Sequence, residues 1–211
     1  MEGFFDDLKD QFVPNGRVNE LQQIAMEELF NFRRKERFAD QDYLLKAFQI
    51  FKGKNDKRIK GILRKKENEL DAIIRMYDYF YWGDFKTRKT TIFEINCPDL
   101  DLPKFFIYPK GILNQVSSYF VNKEKPFSEE IDFHAKYIIE TKNNTELENA
   151  LGKKLLTQLL SLPNISMEGE GDYLLLYFYG KQIPAPELMD NYDKAIEILD
   201  LILNDNSNEF V

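Results

Sequence analysis

Apolar positions along this chain change their period several times, and each change marks an element. Leu21, Ile24, Ala25, Leu29 and Phe32 recur at helical steps, with Glu20, Glu27, Glu28 and Arg33 around them. That spacing predicts a helix from Asn19 with one apolar stripe. A shorter helix is predicted over 40–48, with Tyr43, Leu44, Ala47 and Phe48 as its face. The stretch 50–82 fits two templates. Read as a helix, 69–78 offers a passable stripe. Read as strands, 58–64 alternates, Glu67-Asn68-Glu69 turns, and 70–82 is rich in β-branched and aromatic residues. The second reading, a hairpin, is preferred. Tyr77, Tyr79 and Tyr81 then share one face, because strand side chains repeat every two residues.

The return strand is expected at 89–97, where Thr91, Phe93 and Ile95 alternate with Ile92 and Glu94. After the connector 98–103 come a strand at 105–108, a helix at 112–121 and a charged loop to 130. A strand follows over 131–141, with Ile131, Phe133, Ala135, Tyr137 and Ile139 on one face. Thr145-Glu-Leu-Glu148 has the form of a capping box. It opens a helix carrying Leu147, Leu151, Leu155, Leu159 and Leu162 that stops at Pro163. A second hairpin joins 165–168 to 173–179 across Gly169-Glu-Gly171. The last helix begins within 184–187, with Leu188, Tyr192, Ala195, Ile196, Leu199, Ile202 and Leu203 as its stripe.

Strands in antiparallel pairs with helices around them define an α+β fold, not a regular βαβ alternation. The expected architecture is a strongly twisted antiparallel sheet flanked by helices and preceded by a helical N-terminal segment. Residues 1–16 read as an amphipathic leader: Phe4, Phe5, Leu8 and Phe12 fall at helical spacing before Pro14-Asn15-Gly16 breaks the chain. One domain then spans 17–203, helical over 17–49 and sheet-containing over 50–203. Residues 204–211 form a polar tail.

The segments Phe51-Lys-Gly-Lys, Arg58-Ile-Lys-Gly-Ile-Leu, Tyr77-Asp-Tyr-Phe-Tyr, Leu102-Pro-Lys-Phe and Ile131-Asp-Phe together resemble a loosely defined family of uncharacterised bacterial proteins. The resemblance covers about residues 40–203. It implies the hairpin form of 58–82 and carries no activity or functional residue.

Composition narrows the chemistry. The 211 residues include one histidine, His134, one cysteine, Cys97, and one tryptophan, Trp82. A zinc site takes about four His or Cys ligands, and a cysteine nucleophile takes a partnering base. The reading therefore leans away from an enzyme, with no catalytic residue, metal or cofactor assigned. One cysteine allows no internal disulfide, so a reducing cytoplasm is the expected compartment. The first ten residues carry four acids and no signal-peptide pattern. The apolar run 174–179 falls far short of the ~20 residues that span a bilayer. A net charge of −7 disfavours anionic partners except where cations cluster.

Four clusters are candidates, each with a structural alternative. Segment 52–66 holds Lys52, Lys54, Lys57, Arg58, Lys60, Arg64, Lys65 and Lys66 against one acid, Asp56. Arg58, Lys60 and Arg64 fall on one strand face, with Lys66 further along it, and Lys65 is counted with them as a candidate contact. Such a stripe suits phosphates or acidic headgroups, and equally suits a solvated sheet edge blunted by lysine. The Tyr77, Tyr79, Tyr81 face, with Asp78 and Trp82, suits base stacking or a peptide grip, and equally a packed interior. Asp132 and His134 would share a strand face, without a nucleophile. The acidic pairs Asp99/Asp101 and Glu168/Glu170 read as turn residues. The expected function is a non-enzymatic interaction module acting through protein contacts or self-association, with Phe4, Phe5, Leu8 and Phe12 as contact residues. Alternatives are an anionic-surface binder through 52–66, for nucleic acid or acidic lipid, and a small-ligand pocket between sheet and helices.

Overall fold

The computed structural model describes residues 16–83, 86–115, 126–162 and 164–206. The leader residues Phe4, Phe5, Leu8 and Phe12 lie outside them. Eight antiparallel strands form one sheet in the order β1-β2-β3-β4-β8-β7-β5-β6. They are β1 (Asn31–Arg37), β2 (Asn55–Glu67), β3 (Ala72–Gly83), β4 (Lys86–Asn96), β5 (Leu102–Pro109), β6 (Tyr137–Thr141), β7 (Ser166–Gly171) and β8 (Tyr173–Tyr177). The helices are α1 (Gly16–Glu27), α2 (Tyr43–Lys46), α3 (Ile131–Lys136), α4 (Asn144–Ser161) and α5 (Leu188–Asn206). The fold is α+β, as the pattern implies, and the 58–82 hairpin is present as β2–β3.

Both sheet faces are largely apolar, and the greater part of each is covered. The first face packs Leu63, Ile74, Met76, Phe93 and Leu176 against α1, α4 and α5. The leucine stripe of α4 is fully used: Leu147, Leu151, Leu155 and Leu159 are all buried. That helix is broken at Gly152, whose φ of 61° no helix accommodates. The second face packs Ile59, Tyr77, Tyr79, Ile92, Phe106 and Tyr177. Its cover is the irregular segment 38–52, which contributes Leu45, Phe48, Ile50 and Phe51.

Several expected boundaries move, each for a local reason. The first helix does not run through Phe32. It ends at Glu27, and the Phe30 amide returns to the Ala25 carbonyl at 2.9 Å while Leu29 turns left-handed at φ 59°. Asn31 then opens β1 as an edge strand beside β2. The helix expected over 40–48 shrinks to α2, capped by the Asp42 carboxylate on the Leu44 amide, with 3-10 turns at Phe38–Asp40 and Gln49–Phe51. The helix expected over 112–121 is a 3-10 stretch, Lys110–Gln115, as far as the described residues go. The strand expected over 131–141 starts as α3. Phe133 and Tyr137, four apart, stack at 4.9 Å and are buried, while Ile131 is exposed. Helical spacing therefore fits this stretch better than alternation. Asn143, not Thr145, caps α4, and Glu148 instead accepts from the Phe127 amide.

One irregularity decides where the basic residues of β2 point. A bulge at Gly61 sets two residues of β2 against Tyr77 of β3. Gly61 sits at φ +62°, and a Cβ there would lie 2.4 Å from the Leu21 Cδ1 of α1. Only glycine satisfies both conditions. Ile59 and Ile62, three apart, consequently share the second face, while Leu63 joins the first.

Candidate functional site

The second face of the sheet carries the densest buried chemistry. Cross-strand register places Arg75, Glu94, Leu175, Glu168, Phe106 and Glu140 in one row across β3, β4, β8, β7, β5 and β6. Glu94, Glu140 and Glu168 are each no more than 4% exposed. Each receives a tyrosine hydroxyl from the adjoining row. Tyr77 donates to Glu94 at 2.9 Å, Tyr177 to Glu168 at 2.5 Å, and Tyr108 to Glu140 at 2.6 Å. The same diagonal Tyr–Glu contact thus occurs three times on one face. A buried carboxylate without such donors would be very costly.

The three acids differ in their other partners. Glu94 is met by Arg75 at 2.9 Å, and Arg75 also bridges Glu36 of β1 at 3.0 Å and donates to Gln41. Burial nevertheless raises the Glu94 pKa above the ordinary carboxylate range. Glu168 instead binds the covering segment. One oxygen accepts the Ile50 amide at 2.9 Å together with the Tyr177 hydroxyl, and the other accepts the Gln49 amide. These amides open the 3-10 turn Gln49–Phe51, whose own N-cap residue, Phe48, supplies no side-chain bond. Glu168 therefore caps that turn from another strand. Burial pushes its pKa up to about 7. Lys104, which pairs with Glu170, acts in the opposite direction.

A cleft of about 340 Å³, counted with its open mouth, lies between this segment and the sheet. Phe48, Lys52, Lys104, Phe106, Glu140 and Glu168 line it. Apolar rings with a few polar groups are the ordinary lining of a small-molecule site.

The opposite face holds one compact polar cluster. Asp78, 2% exposed, accepts from Arg17 Nε at 3.0 Å, Thr91 Oγ1 at 2.7 Å and Gln182 Nε2 at 2.6 Å. It anchors the start of α1 and the 180–183 loop to β3.

The residues singled out in the sequence are distributed as follows. The bulge divides the basic run. Arg58, Lys60 and Lys65 oppose Phe80, Asp78 and Ile74 on the α1 side, whereas Arg64 and Lys66 oppose Arg75 and Ile73 on the other. The expected single face for Arg58, Lys60 and Arg64 is therefore not formed. Arg58 bridges Asp56 at 2.7 Å and Lys66 bridges Asp71 at 2.7 Å. Lys65 approaches Glu67 and lies over the Phe30 ring. Tyr77, Tyr79 and Tyr81 do share one face, and it is interior: they are 1%, 0% and 2% exposed. The Tyr79 hydroxyl is buried without a hydrogen-bond partner.

Asp132 and His134 lie on α3, two residues apart on a helix, and so do not share a face. His134 Nε2 lies 2.8 Å from the Pro126 carbonyl and 3.1 Å from that of Phe127, so it bears the proton and donates to backbone. Cys97 is buried and free, its pKa raised by burial. Glu168 is no turn residue, because the turn falls at Gly171–Asp172 and Glu168 lies inside β7. Among the described residues no three His, Cys, Asp or Glu side chains form a metal-binding group. Among the same residues no helix is long and apolar enough to cross a membrane. Sequence reasoning missed Arg75, Glu94 and Glu140. The available signal was a lone acid between apolar neighbours, as in Ile92-Phe-Glu-Ile95 and Ile138-Ile-Glu140.

No family model matches the chain, and no curated protein matches it. Its fold is similar to the crystal structure of the mycobacterial trehalose monomycolate transport factor A, TtfA, with a TM-score of 0.54 at 10% identity. The match covers 90% of this chain and 94% of that one. At that identity the likeness is one of fold.

Proposed function

We propose that this chain is a non-catalytic interaction module that acts through protein contacts or self-association. The observation that carries this reading is the α1–β1 turn. Leu29 sits at φ 59° and is 84% exposed, and Met26, three residues earlier, is 74% exposed. A left-handed backbone costs an L-residue about 1–2 kcal/mol, and helices usually put glycine or asparagine there. A leucine so exposed buries little within its own fold to offset that cost, but it is well placed to enter a partner. The similar fold of a protein named a transport factor fits an accessory, binding role.

The test is Leu29→Asn in the full chain. Asparagine tolerates the left-handed region, so stability is retained or rises by up to about 1 kcal/mol. Self-association seen by sedimentation, or a partner retained on the native protein, is lost. Identical mass and identical retained proteins in both forms would refute the reading.

A second reading is favoured by one specific placement. β1 sets Arg33, Arg34, Lys35 and Arg37 beside β2 at the sheet edge, which concentrates cations in an otherwise acidic protein. Binding of nucleic acid or acidic lipid there should fall steeply with salt and vanish when Arg58, Lys60, Arg64 and Lys65 become glutamine. Absence of binding at low salt would eliminate it. The cleft over Glu168 supports a small-ligand role more weakly, because its deepest carboxylate is already occupied by Tyr177 and two backbone amides.

A further inference from the structure

Two cations of this acidic protein stand outside its ion pairs, and both lie beside one apolar groove. Among the described residues neither Lys181 nor Lys194 meets a carboxylate. The groove runs between α5 and the end of β8 and measures about 270 Å³, counted with its open mouth. Asn191, Lys194, Ala195 and Ile198 line it from α5, at the i, i+3, i+4 and i+7 spacing of one helix face. The other walls include Phe93 and Leu176 of the sheet, and Leu162 and Ile165 around the α4–β7 turn. Its cause is local. β8 ends at Tyr177, so Phe178 leaves the ladder and stays half-buried against the groove. Ala195 offers only a methyl where Ile198, one turn on, offers a full side chain. Asn164 turns left-handed at φ 65° between Leu162 and Ile165, which keep 7% and 6% of their surface open.

The polar side chains of the groove supply donors. Lys194 is half-buried, so its stem runs along apolar surface while its ammonium reaches water. The Lys181 ammonium lies 5.5 Å from the centre of the Phe178 ring, which is also a groove wall. Asn191 donates to the Glu187 carbonyl at 2.7 Å and has a second N–H to give. Among the described residues no carboxylate lines the groove. The acids next along α5, Asp193 and Glu197, are exposed, and Glu197 accepts from Gln158 at 3.1 Å. An apolar slot with cations at its rim fits an anion that carries an aliphatic tail. A protein side chain brings an acid or a long alkyl chain, never both. The volume is at the small end for a ligand site, which limits the tail to a short one.

We propose that this groove binds a short alkyl carboxylate, its tail between Ile198, Leu162 and Ile165 and its carboxylate at Lys194 and Lys181. This goes beyond the Leu29 reading and does not depend on it. The site differs in kind from the cleft over Glu168, whose deepest polar group is an acid already bonded to Tyr177 and two backbone amides. Here the deep part is apolar and the charges are outermost, so a tail enters without displacing a hydrogen bond of the fold.

The experiment titrates the full-length, nitrogen-15-labelled protein with hexanoate, octanoate and the neutral alcohol octanol, each below its aggregation concentration. Backbone amide resonances locate the binding. Saturable shifts are expected at residues 176–178 and 191–198. Octanoate should bind about fifteenfold more tightly than hexanoate, at about fourfold for each further buried methylene. Lys194→Gln keeps a good helix former on α5, and circular dichroism checks its folding. It should weaken octanoate about two- to fivefold, the share of an exposed ion pair, and leave octanol unchanged. Adding Lys181→Gln should weaken octanoate further. Absence of saturable shifts at these amides, or shifts centred on the Glu168 cleft or on Met26 and Leu29, would overturn the proposal. So would equal affinity of the native protein for octanoate and octanol, which would show that the lysines read no charge. Shifts of the same amides with protein concentration alone, in step with mass, would assign the groove to a second copy and overturn it as well.

Discussion

Glu168 offers the sharpest quantitative test, because its carboxylate does opposing things. It is desolvated in β7, and it also accepts from the amides of Gln49 and Ile50. Desolvation prevails, so its pKa in the fold is about 7 against an ordinary 4.5. In the intervening pH range the folded protein holds a proton that the unfolded chain has released. Stability must then fall as pH rises. The gap of about 2.5 pH units corresponds to about 3 kcal/mol at 1.36 kcal/mol per unit, fully present below about pH 4.5 and lost by about pH 7.

Glu94, also raised by burial, contributes in the same direction, so the native profile alone does not isolate Glu168. The Glu168→Gln variant does. Its amide oxygen keeps Ile50 and Tyr177, but its NH2 group faces the Gln49 amide, donor against donor. That leaves a buried N–H unsatisfied, at about 1–3 kcal/mol. Protonated Glu168 avoids this conflict, because a hydroxyl oxygen still accepts. Urea unfolding from about pH 5 to about pH 8 should show the variant less stable by about 1–3 kcal/mol at the acid end. The difference should narrow to nothing or reverse at the alkaline end. A native-minus-variant difference that stays constant with pH would refute the argument.

Gly61→Ala should cost about 2–4 kcal/mol, from a left-handed alanine plus contact with Leu21; thermal unfolding reads it, and adding Leu21→Ala should recover part of the steric share. Arg17→Met removes the guanidinium bonded to the buried Asp78 carboxylate and should cost about 3 kcal/mol, with faster amide exchange at the start of α1. Tyr77→Phe removes one donor from buried Glu94 and should cost about 1–2 kcal/mol by urea unfolding, with Arg75 holding the remainder of the cluster. Cys97 should resist a thiol reagent in the native protein and react fully in urea; rapid native labelling would contradict its burial.

How much of this was legible depended on whether the signal was local. The β2–β3 hairpin, the α4 leucine stripe and the stripe of α5 each follow a periodicity visible within a dozen residues. β1 was not visible, since Arg33-Arg-Lys-Glu-Arg37 has no apolar alternation: it is an edge strand held mainly by its ladder to β2. The division of the basic run turned on Gly61, and a glycine inside a strand is the usual sign of a bulge. The Tyr–Glu row could not be read from the chain. Its members come from six strands whose order is set by pairings such as β4 with β8, distant in sequence.

The polar row has a physical explanation in what covers it. A sheet face roofed by helices needs no polar anchors, because each helix satisfies its own backbone. The first face is of this kind, and its buried acid, Asp78, lies near its margin. The second face is roofed by 38–52, two 3-10 turns and a single α-helical turn, which leave amides without internal acceptors. Sheet side chains must then supply acceptors at the contact, and Glu168 does so for Gln49 and Ile50. A carboxylate there requires further donors, which the tyrosines of the adjoining row provide. Burying Glu168 on this face is thus the consequence of a short irregular cover. It follows that the Gln49 and Ile50 amides should lose exchange protection together in Glu168→Ala, while amides of α4 and α5 keep theirs. Equal loss across both faces would mean that the cover and the helices unfold as one unit, and that the anchor is not local.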